Sequence, residues 1–110
     1  MRLEVSLYRY ETSDIKVTID AYFEGEVLVI DGYDIGKRVE EFWGDSDYEY
    51  IIKIPKAGVE FLFSYLQIES GNRKKLLLAL AARYNSNSCY SDICKLMEDN
   101  KIKCEGFTWV

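Results

Sequence analysis

The chain contains no histidine and one proline among its 110 residues, and its three cysteines are an odd number. Without histidine, Ser-His and Cys-His nucleophile pairs, histidine acid–base catalysis and histidine metal ligands are all excluded, which removes most common hydrolase designs. Cys89, Cys94 and Cys104 have the spacing C-x4-C-x9-C. This spacing matches no zinc pattern built from two close cysteine pairs, so we expect reduced structural thiols and no metal or other cofactor.

Long hydrophobic runs are also missing. No apolar stretch approaches the roughly 20 residues that cross a bilayer, and the first residues alternate in polarity instead of forming the apolar core of a signal peptide. With 48% apolar residues, the composition is that of a globular protein, and residues 1–110 have the length of one domain. We therefore expect a cytoplasmic protein that does not contact a membrane.

Acidic residues are concentrated in residues 31–50. Seven carboxylates against two basic residues give this stretch a charge of −5, equal to the net charge of the whole chain. Five aromatic residues are interleaved with them, namely Tyr33, Phe42, Trp43, Tyr48 and Tyr50. Such a segment suggests an acidic face offered to a basic protein partner. The predicted partner-binding residues are Asp31, Asp34, Glu40, Glu41, Trp43, Asp45, Asp47 and Glu49.

The periodicity of the apolar residues predicts an α+β fold. Alternation predicts strands over residues 3–10, 15–23, 26–31, 47–54 and 102–109, and a period of 3.6 predicts helices over 57–68, 73–84 and 89–99. The expected architecture is a mainly antiparallel sheet of about five strands, four N-terminal and one C-terminal, packed with three helices. Ile35, Val39, Phe42 and Trp43 have helical spacing and predict a short helix inside the acidic stretch.

Four alternatives to partner binding stay open. Asp45, Asp47 and Glu49 occupy positions 1, 3 and 5 of a possible calcium loop, but Tyr50 and Lys56 stand where that loop needs Gly and Glu. A metal-dependent hydrolase would use these three residues together with Asp31 and Asp34. A third alternative is a structural domain that self-associates through an exposed edge strand. In the fourth alternative, the stretch is a solvated acidic surface without a binding role, and Phe42, Trp43, Tyr48 and Tyr50 lie in the core.

Nucleic acid is not an expected partner. The basic triplet Arg73, Lys74 and Lys75 opposes the macrodipole at the start of a predicted helix, which invites an explanation. A lone triplet in a chain of pI near 4.8 is nevertheless a poor nucleic-acid footprint, which needs an extended basic face. No glycine-rich phosphate loop or GxSxG elbow occurs either.

The segment GDSDYEY (residues 44–50), the helical region after it and the closing GFTWV resemble small acidic bacterial proteins of the immunity type. Several of these are encoded near polymorphic-toxin or contact-dependent-inhibition loci. The resemblance covers element order, size and acidity, with Gly44, Asp45, Asp47, Tyr48, Glu49 and Trp109 as its sharpest residues. It implies a non-enzymatic inhibitor that binds a co-encoded basic toxin.

Overall fold

A computed structural model of the chain describes residues 3–36 and 47–109. Five antiparallel strands form one sheet in the order β1-β2-β3-β4-β5. The strands are β1 (Glu4–Glu11), β2 (Ile15–Glu24), β3 (Val27–Gly36), β4 (Asp47–Ile54) and β5 (Glu105–Trp109). Between β4 and β5 lie the helices α1 (Lys56–Tyr65), α2 (Arg73–Arg83) and α3 (Cys89–Asp99). The predicted α+β fold, with four N-terminal strands and one C-terminal strand, is confirmed.

Tight connections explain why neighbouring strands pair in chain order. Glu24 pairs with Val27 across a two-residue loop, and Gly25 in that loop has φ +63°, a conformation that glycine adopts without strain. Between β1 and β2, the Thr12 hydroxyl accepts hydrogen bonds from the backbone N–H groups of Asp14 and Ile15, each at 3.2 Å. This is a local side-chain turn of the kind that Ser and Thr favour.

The hydrophobic core lies between the helices and one face of the sheet. Alternate residues of the strands point toward the helices, and α1, α2 and α3 each contribute one apolar stripe. Side chains with no exposed surface include Leu28, Ile30, Ile54, Leu62, Leu76, Leu80 and Ile93. A bulge in β1 between Ser6 and Tyr8 places Leu7 in the same core, with 4% of its surface exposed.

The sheet corrects the predicted end of β3 and, with it, the predicted helical position of Ile35. β3 continues to Gly36 instead of ending at residue 31, because it pairs with β2 as far as Ile15 opposite Gly36. Ile35 therefore belongs to a strand and not to the predicted helical stripe. The other three positions of that stripe, Val39, Phe42 and Trp43, lie outside the described residues.

The C-terminal boundaries also differ from the prediction. α1 ends at Tyr65, three residues early, because Leu66 caps the helix and Gln67 has φ +56°. The last strand begins at Glu105 instead of residue 102, since its first pairing is Glu105 with Lys53. None of the helices in the described ranges combines the length and apolarity that a bilayer span requires.

Candidate partner-binding site

The pairing of β3 with β4 brings four of the predicted site residues together. Asp31 and Asp34 lie on β3, and Asp47 and Glu49 lie on β4. Directly opposite pairs in this ladder include Tyr33 with Glu49, Asp34 with Tyr48 and Gly32 with Tyr50. The other predicted residues, Glu40, Glu41, Trp43 and Asp45, lie outside the described ranges.

The four described carboxylates divide between the two faces of the sheet, because successive side chains of a strand point to opposite sides. Asp34 shares the helix-covered face with Tyr48 and Tyr50. Asp31, Tyr33, Asp47 and Glu49 share the other face, which we call the acidic face.

On the acidic face, the hydroxyl of Tyr33 donates a hydrogen bond of 2.7 Å to Asp47 Oδ2. This bond holds the Asp47 carboxylate in place, and it is charge-assisted, a strong kind of hydrogen bond. Asp31 lies directly opposite Asp20 of β2, and Arg9 Nη2 lies 3.4 Å from Asp20 Oδ1. On its β2 side, the acidic face therefore borders the ion pair of Arg9 and Asp20.

Apolar side chains adjoin the acidic face on the same side of the sheet. Val29 is fully buried there, and Tyr22, which lies opposite it, is 8% exposed. Ile51 pairs with Phe107 of β5, whose exposed fraction is 39%, and Lys53 Nζ lies 5.7 Å from the centre of the Phe107 ring. Val29 and Tyr22 are thus covered, and Phe107 is an exposed aromatic side chain that borders the acidic face.

A second candidate site lies at the other face of the sheet, where β4 and β5 meet the start of α3. The ring centroids of Tyr48 and Tyr50 are 5.5 Å apart at an interplanar angle of 42°. Those of Tyr50 and Tyr90 are 4.8 Å apart with the planes at 80°. The rings border a cleft of about 290 Å³ that we call the tyrosine cleft. Its lining residues are Tyr48, Tyr50, Asn87, Tyr90, Ser91 and Thr108.

Gly32 determines where the Tyr50 ring lies. The ring lies against the Gly32 backbone so closely that a Cβ atom there would collide with it. From this position the Tyr50 hydroxyl donates a hydrogen bond of 3.0 Å to Asp34 Oδ1. The cross-strand pair of glycine and aromatic ring thus places a carboxylate beside the tyrosine cleft.

Burial controls protonation around this cleft. It raises the pKa of Asp34 above 3.8, and the hydrogen bond from Tyr50 lowers that pKa by a smaller amount. Burial also raises the pKa of Tyr50, as does the neighbouring Asp34 charge. For Tyr90 the pKa is raised mainly by burial as well. Both tyrosine hydroxyls therefore stay protonated at neutral pH.

The arrangement around Asp47 and Glu49 does not form the calcium loop considered from the sequence. A twelve-residue loop starting at position 45 would include all of β4, whose residues are extended and pair with β3, and from Glu49 to Lys53 also with β5. Within residues 3–36 and 47–109, no three carboxylate or cysteine side chains converge on a point where they could hold a metal ion. Metal-dependent hydrolysis stays an untested alternative.

The three cysteines are free thiols. Cys89 is fully buried in the α3 stripe, and burial raises the pKa of its thiol to about 11. Burial also raises the pKa of Cys94 and Cys104, which are partly exposed. Neutral thiols are poor nucleophiles, so none of the three has the thiolate character of a reactive cysteine.

Sequence reasoning missed four of the six residues that line the tyrosine cleft. Asn87, Tyr90 and Ser91 come from the start of α3, and Thr108 comes from the last strand. A polar and aromatic cluster at a helix start was the available signal. It does not reveal which strand the helix start will meet, because that depends on packing between distant segments.

The observed class is an α+β domain with an antiparallel five-stranded meander covered on one face by three helices. No family model matches the chain, and no curated protein or solved structure shows significant similarity to it.

Proposed function

We propose that this chain is a non-enzymatic cytoplasmic binding protein, an immunity-type inhibitor that docks its acidic, aromatic-containing surface on a basic protein partner such as a toxin domain. The observation that carries the proposal is the grouping of Asp31, Asp47 and Glu49 on the acidic face beside Tyr33. Carboxylates in this arrangement attract a basic partner during encounter, and neighbouring rings supply contact area once it has bound.

The residues of the acidic face are held in fixed positions, which supports this proposal. Asp47 is fixed by Tyr33, and all four residues of the acidic face lie on paired strands. A surface on rigid strands loses little conformational entropy when it binds. Carboxylates on it should therefore contribute both to the association rate and to the register of the complex.

The natural candidate partner is the protein encoded beside this chain's gene. Its association rate constant with the purified chain should fall steeply as ionic strength increases, because a charge-steered encounter is screened over about 8 Å at physiological salt. Reversing the acidic face with Asp31→Lys, Asp47→Lys and Glu49→Lys should slow association about tenfold or more at low salt.

A matched variant separates a local effect from a change of net charge. Glu60→Lys, Glu69→Lys and Glu98→Lys alter the charge equally at three exposed positions outside the acidic face. This control should retain most of the association rate. Equal slowing by both triple variants would show that only net charge matters, and unchanged binding by the first would refute docking through the acidic face.

The undescribed part of the acidic stretch is tested separately. Reversing Glu40, Glu41 and Asp45 should also slow association if that part contributes to the docking surface. Trp43→Ala should weaken binding with little loss of stability if the ring is an interface anchor. A loss of about 3–5 kcal/mol in unfolding free energy would instead identify Trp43 as a core residue.

A further inference from the structure

We infer that the tyrosine cleft binds the guanidinium group of an arginine side chain. The inference deepens the proposed function and rests on it for the source of that arginine, a basic protein partner. The recognition chemistry is argued from the cleft itself. Its test uses an arginine probe that does not require the partner.

The shape of the cleft suits a flat cation. Tyr48, Tyr50 and Tyr90 follow one another with their planes turned by 42° and 80°, so they form adjoining walls of a corner. A cation within about 6 Å of such a ring is attracted by the negative face of its π system. The volume of about 290 Å³ is enough for a guanidinium group and part of its aliphatic stem.

Charge near the cleft favours a cation over an anion. Asp34 lies opposite Tyr48 and accepts a hydrogen bond from the Tyr50 hydroxyl. After that bond, an ionised carboxylate can still accept further hydrogen bonds. No lysine or arginine occurs among the lining residues that the structure describes. The start of α3 contributes a partial positive charge, but Asp92 in its first turn offsets it.

Arginine fits better than lysine for two reasons. Its planar group stacks on aromatic faces, whereas the ammonium group of lysine is compact and more strongly hydrated. Its five N–H donors can also use several acceptors at once, and Asn87, Ser91 and Thr108 add amide and hydroxyl oxygens to the cleft. The chain already makes such contacts internally, with Arg83 5.2 Å from the Tyr65 ring and Arg73 4.8 Å from the Phe23 ring.

The test is an NMR titration of the labelled chain with Nα-acetyl-arginine amide. We expect saturable shifts of Tyr48, Tyr50 and Tyr90 with millimolar affinity, since one side chain offers few contacts. Nα-acetyl-citrulline amide has nearly the same shape without the charge, and it should bind about tenfold more weakly or not at all. Nα-acetyl-lysine amide should bind more weakly than arginine, and acetyl-glutamate should not bind.

Two variants locate the binding. Tyr90→Leu removes one ring, and Asp34→Asn removes the charge while leaving an oxygen that can accept the Tyr50 hydroxyl. Each should weaken arginine binding about tenfold. Tyr65→Leu is the matched control, because it removes a tyrosine outside the cleft, 43% exposed, and should leave the affinity unchanged. Spectra of each variant without probe establish that it is folded. If Tyr90→Leu does not fold, the isosteric variant Asp34→Asn is sufficient to test the inference.

The outcomes separate this inference from the proposed function. Equal binding of citrulline and arginine, or arginine binding that Asp34→Asn leaves intact, overturns the inference even if the acidic-face variants slow association with the partner. Selective arginine binding that both cleft variants weaken supports it. If reversal of the acidic face leaves partner association unchanged, the proposed function is refuted, but the inference about the tyrosine cleft still stands.

Discussion

Gly32 is the residue on which the geometry of the tyrosine cleft depends. Its missing side chain lets the Tyr50 ring lie against the β3 backbone, and that position directs the Tyr50 hydroxyl to Asp34. Glycine normally weakens a strand interior. Here the cross-strand aromatic ring covers the backbone that the absent side chain would leave open.

Gly32→Ala should therefore be costly. The new methyl group and the Tyr50 ring cannot occupy the same space, so the ring must move and its hydrogen bond to Asp34 is lost. We expect the unfolding free energy to fall by about 1–3 kcal/mol in denaturant titrations. Gly106→Ala is the control, because a Cβ there meets only the Ile51 carbonyl oxygen at 3.9 Å. Equal stability of the two variants would contradict this role of Gly32.

Asp34 should make stability depend on pH. Because its folded pKa is raised above 3.8, the unfolded chain loses the Asp34 proton first as the pH rises. Between the two pKa values the folded state binds more protons, so this residue lowers the unfolding free energy as the pH increases through that window. Asp34→Asn removes the effect. The variant should gain stability relative to the natural chain from acid to neutral pH and then level off. A difference that does not vary with pH would contradict the prediction.

At the level of elements, regular periodicity predicted most of the fold. Alternation of apolar residues predicts the five strands, and a period of 3.6 residues predicts the three helices of the described chain. The error at the end of β3 has a clear cause. β3 continues through Asp31, Tyr33 and Asp34 because it has a pairing partner on each side, and no local pattern reports such a partner. Residues of the tyrosine cleft were missed for the same reason.

The N-cap residues of α2 and α3, Asn72 and Ser88, differ in their hydrogen bonds. Asn72 Oδ1 accepts a hydrogen bond of 3.2 Å from the Lys75 N–H, whereas the Ser88 side chain makes no capping bond to α3. Asn72→Ala should cost about 1 kcal/mol of unfolding free energy. Ser88→Ala should cost less, since it removes exposed hydrogen bonds to the Asp92 carboxylate and the Ser86 hydroxyl and no bond to the helix backbone. The prediction fails if thermal or chemical unfolding shows equal losses.

The contacts of Arg73 explain why a cation stands at the start of α2. Its Nη1 donates a hydrogen bond of 2.8 Å to the Gly25 carbonyl, and its guanidinium lies 4.8 Å from the centre of the Phe23 ring. These contacts fasten the helix to the β2–β3 turn. Arg73→Ala should therefore lower the unfolding free energy by about 1–2 kcal/mol. Lys74→Ala removes the neighbouring exposed charge and should change it by less than about 0.5 kcal/mol. Comparable losses of unfolding free energy in the two variants would contradict this role of Arg73.

For the whole molecule, the buried Cys89 reports on opening of the core. It has no exposed surface, and burial raises its pKa to about 11, so it should react with an alkylating reagent only when α3 separates from the sheet. The partly exposed Cys94 and Cys104 should react faster in the native protein. Peptide mass spectrometry measures each rate, with the unfolded chain as the control in which all three react alike. Labelling of Cys89 as fast as Cys104 under native conditions would contradict a closed core.

The meander order has a consequence for how the molecule is assembled. β1 to β4 join through short connections, whereas fifty residues separate the end of β4 from the start of β5, so the last pairing closes the longest loop in the sheet. Loop closure of that length is slow compared with hairpin formation. During synthesis, β4 emerges long before its partner and remains an edge strand until β5 arrives. The side of the acidic face that is bordered by Phe107 is therefore completed last, after the carboxylates beside it are already in place.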